Sequence, residues 1–115
     1  EELTELVSLC ATKLAPGGAL VAETINPQCL TTFSGAFYLD LTHQKPIHPE
    51  AARFLWQWAG LAEVEIIYLS PYPKENRLES FSGEGGELAD SYSRNMERLN
   101  QLLYGYQDYA VKGRK

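Results

Sequence analysis

A helical period that breaks at Pro16-Gly17-Gly18 and gives way at once to the apolar run ALVAET is the feature that most narrows the fold. Upstream, Leu3, Leu6, Val7, Cys10 and Leu14 recur at the spacing of one helix face. Glu1, Glu2 and Glu5 sit where the positive end of a helix dipole favours carboxylates. Proline cannot continue a helix and glycine accepts the turn, so a helix over 1–14 stops there. The run from Ala19 to Thr24 is nearly continuous in apolar residues, the pattern of a strand buried on both faces, as in parallel sheets.

The same alternation recurs twice more. Residues 27–48 are irregular, with a short helix near 28–34. HPEAARFLWQWAG then reads as a punctuated helix: Pro49 in the first turn, Glu50 at the positive end, Gly60 as the stop. Ala51, Phe54, Leu55 and Trp58 form its apolar stripe, which leaves Trp56 projecting elsewhere, onto a loop or a partner. In AEVEIIYLS, Val64, Ile66 and Tyr68 alternate against Glu63 and Glu65, as expected of a strand near a sheet edge with one solvated face. Residues 70–87, with Pro71, Pro73, Gly83, Gly85 and Gly86, form a loop long enough to be a lid or a mobile segment. From Leu88, the residues Tyr92, Met96, Leu99, Leu102 and Leu103 mark a long amphipathic helix ended by Gly105. DYAVKGRK closes the chain as a strand with Tyr109 and Val111 on one face.

Three helix–strand pairs imply a mixed α/β sheet covered by helices in a three-layer α/β/α arrangement. The 115 residues are read as one domain. The flanks are more apolar than a three-stranded sheet needs, and the sequence opens without Met inside a helical pattern. Both are expected of a piece of a larger unit. Ten basic against fifteen acidic residues leave a net charge of −5 with no long run of one sign, which argues against nucleic acid and anionic membranes as partners. Lys112, Arg114 and Lys115 read as a solvated tail. Cys10 and Cys29 form no CxxC pair and no disulfide framework, and Cys10 reads as a small core residue. No apolar run approaches the roughly 20 residues of a membrane span, and no secretory leader is visible, so a cytoplasmic location is expected.

Leu14-Ala15-Pro16-Gly17-Gly18 between a helix and an apolar strand resembles the turn before the fifth strand of class I S-adenosylmethionine-dependent methyltransferases. ETINP followed by FYLDLTHQKPIHPE is similar to one branch of that family, enzymes often found beside glycosyltransferases. The resemblance covers almost the whole chain. It implies a partial Rossmann-like sheet built from strands 5, 6 and 7, with the last strand lying between the other two. It also implies methyl transfer from S-adenosylmethionine to a small polar acceptor, a sugar among the candidates. The family's glycine-rich cofactor loop and acidic ribose ligand belong to its N-terminal half. The glycines here precede a strand, whereas a cofactor loop follows a strand and opens a helix. The chain therefore reads as the acceptor side of a C-terminal half, with no cofactor and no metal expected bound to it alone. The alternative is a non-catalytic interaction module on a half-Rossmann scaffold. The fifth strand would have lost its usual neighbour, so the edge of 19–24 is expected to pair with itself in an antiparallel homodimer.

In doubly wound sheets, ligands sit beyond the carboxyl ends of the strands. Glu23 and Asn26 fall there. Glu23 is read either as a general base toward an acceptor hydroxyl or as a carboxylate satisfied by backbone N–H groups. Asp40, His43 and His48 have the composition of a metal set but no fourth ligand nearby, and His48 directly before Pro49 is the natural N-cap of its helix. His43 is the candidate base or hydrogen-bond donor, or else a histidine that ties the loop down. Tyr38, Asp40, Thr42 and Tyr72 complete the candidate acceptor-binding set.

Overall fold

The helix expected at the start spans Glu2–Lys13 (α1) in the computed structural model. The structure describes residues 2–115, so Glu1 lies outside the described residues. After the Pro-Gly-Gly turn, in which Gly17 takes φ 77°, comes strand β1 (Ala19–Ile25). The irregular stretch contains a 3₁₀ turn at Leu30–Ser34 and a one-turn helix α2 (Ala36–Leu39), a little more structure than the short helix near 28–34. Helix α3 (Pro49–Trp58), strand β2 (Ala62–Pro71), helix α4 (Gly86–Leu103) and strand β3 (Tyr106–Arg114) follow. No described helix is long and apolar enough to cross a membrane.

The sheet has the order β1-β3-β2, with β3 antiparallel to both neighbours. This is the mixed α/β class expected, with the last strand inserted between the first two. A bulge between Ala62 and Glu65 shifts the register of β2, and Glu63 takes φ 50° there. Because β1 is an edge strand, the double-sided burial expected of ALVAET does not occur: Val21 is 56% exposed and most of the strand meets solvent. An apolar run states that a strand can be buried, not that a neighbour is present to bury it.

Helices α1 and α3 form one layer over the sheet face that carries Tyr109 and Val111. Strand alternation puts Val21, Glu23, Glu65, Ile67 and Lys112 on the opposite face. There Lys112 Nζ pairs with Glu65 Oε1 at 3.0 Å and Ile67 stays 39% exposed. Helices α1 and α3 thus cover one face of the sheet.

The tryptophan assignment is reversed. Trp56 is the buried one, at 3% exposure, while Trp58 and Phe54 are 59% and 68% exposed. The stripe facing the sheet runs through Ala52 and Trp56, four residues apart, with Leu55 partly buried beside it. Trp56 packs against Gly113, Leu61 and Val64, and its Nε1–H donates to the Leu20 carbonyl at 3.3 Å. One side chain thereby joins α3 to all three strands.

The ends of α3 follow local chemistry. His48 caps it, its Nδ1 accepting from the Glu50 N–H at 3.2 Å, with Pro49 buried in the first turn. At the other end the Leu61 N–H reaches the Trp56 carbonyl and the Gly60 N–H reaches that of Gln57, the paired bonds of a Schellman motif. Gly60 has the positive φ (86°) this termination needs. Leu61 then packs back into the core beside Trp56.

A methyl group at Gly113 would lie 3.0 Å from Trp56 Cδ1 and from Leu61 Cβ, and 3.3 Å from Val64 Cγ2. Gly113→Ala is expected to lower the unfolding free energy by about 1–3 kcal/mol through overpacking. Urea titration checks this; an unchanged midpoint contradicts the packing described.

Candidate functional site

The strand ends at which a ligand is expected border a cavity. Because β3 runs antiparallel, its first residues lie beside the last residues of β1 and β2, and a cavity of about 540 Å³ opens at that shared end. Asn26 and Gln28 enter it from the end of β1, Tyr68 and Pro71 from the end of β2. Tyr72, Lys74 and Arg77 come from the loop that follows, and Gln101, Tyr104 and Tyr106 from the junction of α4 with β3. This volume falls in the usual range for small-molecule sites, roughly 300–1,000 Å³.

Its walls are held by local bonds. Asn26 is buried: its Nδ2 donates to the Tyr106 carbonyl at 2.9 Å, and its Oδ1 accepts from the Gln28 N–H at 3.1 Å. The Tyr68 hydroxyl donates to Gln28 Oε1 at 3.0 Å. Tyr68 and Tyr106 lie with ring centroids 5.7 Å apart, Tyr72 and Tyr104 5.0 Å apart, both pairs tilted as aromatic contacts prefer. Ser70, in the left-handed region at φ 54°, turns the end of β2 at the rim.

The long loop is anchored rather than free along its length. Asn100, buried on α4, accepts from the Leu78 N–H and donates to the Leu78 carbonyl, both at 2.8 Å, as a neighbouring strand would. Ser93 Oγ accepts from the Phe81 N–H at 3.2 Å. At the end of α4 the Leu103 carbonyl, without a partner inside the helix, accepts from Thr31 Oγ1 and from Cys29 Sγ. The loop is therefore tied to α4, and the end of α4 to the segment that follows β1.

The other sequence-derived candidates form a separate cluster. Asp40 Oδ1 accepts from the Thr42 N–H at 2.9 Å and from the Thr42 hydroxyl at 2.7 Å. His43 stacks on Phe37, centroids 5.1 Å apart and planes 13° apart, with Nδ1 3.2 Å from the Phe37 carbonyl. A carbonyl only accepts, so Nδ1 carries the proton and Nε2 is the nitrogen able to take one. Asp40 Oδ2 lies 3.6 Å from that Nε2. Tyr38, 68% exposed, packs edge-on against Phe37. Glu23 is exposed and lies beside a smaller, mostly apolar gap of about 220 Å³ bounded by Leu3, Ile47, Trp56 and Tyr109.

Of the candidate residues, then, Asn26 and Tyr72 line the larger cavity, and Asp40, Thr42, His43 and Tyr38 gather around Phe37, outside that lining. Glu23 belongs to neither group. His48 is spent on its helix cap. Among the described residues no three His, Cys, Asp or Glu side chains converge as a metal set would. Tyr68, Lys74, Arg77, Tyr104 and Tyr106 were not singled out from the sequence. The signal that could have found them is the clustering of Tyr68 and Tyr72, and of Tyr104 and Tyr106, at the two ends of predicted strands, with Lys74 and Arg77 just after Tyr72.

Two groups have shifted ionisation. Burial, with a smaller contribution from Tyr68, pushes the Tyr109 hydroxyl up to about 12, and it donates to the Ile47 carbonyl at 2.8 Å. The Thr42 hydroxyl, then the Thr42 N–H, and more weakly His43, hold Asp40 below the usual carboxylate range.

Among solved structures, the chain is similar to a SAM dependent methyltransferase from Archaeoglobus fulgidus, with a TM-score of 0.89 and 34% sequence identity. The match covers 99% of this chain and 52% of that one, so the chain spans about half the length of the enzyme it matches. No family model and no curated protein matches the sequence. The fold is thus part of a methyltransferase fold, and almost the whole chain takes part in the match.

A lowered folded pKa contributes stability above the unfolded value near 3.9, and that contribution is lost as pH falls through the folded value. For Asp40 the turn is therefore intact at neutral pH and weakens only under acid. Thr42→Val removes the larger donor, and the Asp40 titration midpoint followed by NMR is expected to rise. A midpoint that stays put overturns this account of the turn.

Proposed function

We propose that this chain is the acceptor-side portion, the C-terminal half, of an S-adenosylmethionine-dependent methyltransferase that methylates a small polar acceptor, a sugar among the candidates. The observation that carries the reading is the match over almost the whole chain to about half of a SAM dependent methyltransferase, at 34% identity. The position of the larger cavity supports it, since it lies at the carboxyl ends of β1 and β2, where open α/β sheets bind ligands.

In this reading S-adenosylmethionine is held by the cofactor half of the fold and supplies the methyl group. The chain's own residues receive and orient the acceptor. The tyrosine-lined cavity holds it. His43 lies outside the lining of that cavity, so it is the candidate base for an acceptor whose reacting atom extends beyond the cavity to the Phe37 cluster: there Phe37 fixes its ring by stacking and by the carbonyl at Nδ1, which leaves Nε2 to face the attacking oxygen or nitrogen. Asp40 and Thr42 hold that segment in place. Glu23 is the second candidate base, on the edge strand.

The reading predicts that this chain alone does not bind S-adenosylmethionine measurably in calorimetry, and that methyl transfer occurs only when the cofactor half is present. Micromolar binding of S-adenosylmethionine to the isolated chain counts against the division of labour. In the complete enzyme, His43→Gln is expected to lower kcat by about 100-fold or more, as loss of a general base does; an unchanged rate removes His43 from the chemistry.

We further propose that, in isolation, two copies of the chain pair antiparallel through the free edge of β1. Its outer backbone groups have no strand neighbour, and Val21 is exposed beside them. Light scattering at high concentration is expected to give twice the monomer mass, and a monomer throughout contradicts the pairing.

A further inference from the structure

We infer that the tyrosine-lined cavity is built for a phosphate-bearing ring compound. Naming that compound as the methyl acceptor rests on the function proposed above; the binding site itself does not. The chain as a whole is acidic, at net charge −5, yet the only charged side chains lining this cavity are Lys74 and Arg77. Glu97 pairs with Arg77 at 3.7 Å from outside the lining, and with Lys74 beside it the cavity wall keeps a net positive charge in an acidic protein, where low-dielectric walls focus the potential.

Their spacing adds to this. Lys74–Asn76 is a 3₁₀ turn and Arg77 ends it. Residues three apart eclipse one another in a 3₁₀ helix, so Lys74 and Arg77 lie on the same side of the turn. The guanidinium is partly exposed, and its Nη2 is 3.7 Å from Glu97 Oε1, too long for a good hydrogen bond, so its terminal N–H groups keep capacity for a ligand. A phosphate group carries between one and two negative charges near neutrality, with oxygens matched to an arginine fork and a lysine ammonium.

The rest of the wall selects a ring. Tyr68 with Tyr106 and Tyr72 with Tyr104 present aromatic surface against which a sugar or a nucleobase can lie. The Gln101 amide lines the same space; its Nε2 donates one N–H to Glu97 Oε1 at 3.2 Å, which leaves its second N–H and its oxygen for hydroxyl or carbonyl groups. Sugar phosphates and nucleotides share this chemistry.

The test uses this chain without S-adenosylmethionine. Glucose 1-phosphate, uridine monophosphate and glucose are titrated separately, with binding followed by NMR at the amides of Lys74, Arg77, Gly105 and Tyr106. At least one phosphate probe is expected to give saturable shifts at these positions and to bind about tenfold or more tightly than glucose, as a charge-assisted contact provides. Which of the two phosphates binds tells a sugar site from a nucleobase site. Lys74→Gln alone, and together with Arg77→Gln, is expected to abolish that preference while the shifts of buried Tyr109 and Val111 stay in place. Failure of both phosphates to saturate at millimolar concentration, shifts located elsewhere, or a preference that survives the double substitution overturns the inference. Phosphate binding without methyl transfer by the complete enzyme would keep the site and reject the acceptor role. Methylation of a neutral acceptor, with no phosphate binding, would overturn the inference and keep the proposed methyltransferase function.

Discussion

The fold depends on one contact, the indole of Trp56 against the bare backbone of Gly113. Gly113 lies on the central strand, so whatever packs there fixes the helix layer relative to the whole sheet. The indole N–H ties the same side chain to Leu20 on β1, and Leu61 and Val64 close around it from the start of β2. Nearby Tyr109, fully buried on the same strand, reaches the Ile47 carbonyl and so anchors the segment that leads into α3. An aromatic group with one polar atom can do this because its hydrogen bond is satisfied inside the core.

From that frame the cavity follows without a dedicated scaffold. Inserting β3 antiparallel between β1 and β2 brings two strand exits and one strand entry to the same end of the sheet. Each contributes tyrosine or amide side chains, and the loop after β2 adds the two cations. Asn100 pins that loop by imitating a strand partner for Leu78, and the last carbonyl of α4 is received by Thr31 and Cys29. The site is thus placed by backbone hydrogen bonds to a few buried polar side chains, a form of positioning that resists small changes in the surface around it.

Several apolar side chains outside the core stay exposed. The apolar residues of α1 that face away from the core, Leu6 at 57% and Leu9 at 56%, and Val21 on the edge strand expose carbon that a folded domain would normally bury. On α4, Leu99 and Leu102 of the expected stripe are 39% and 50% exposed, and the helix meets the rest mainly at its C-terminal end. An overall extent of 59 × 32 × 20 Å reflects that projecting helix. A fold that matches about half of a longer methyltransferase has this character on physical grounds: surfaces suited to a partner layer stay apolar whether or not the layer is there.

What the amino-acid order alone determined was local. Pro16-Gly17-Gly18, the His48-Pro49 cap and Gly60 punctuate the helices through backbone geometry and end-group hydrogen bonding, which act within a few residues. The alternation of elements, and the resemblance carried by Leu14 to Gly18 and YLDLTH, were legible for the same reason. What only the tertiary structure decided was which faces meet. Periodicity ranked Trp58 above Trp56 because both lie near an apolar stripe, and only the groove left by Gly113, fifty-seven positions on, selects Trp56. Likewise the residues that enclose the cavity lie in four segments from Asn26 to Tyr106. No local pattern joins them, because the joining is done by strand order and register, which are properties of the folded sheet.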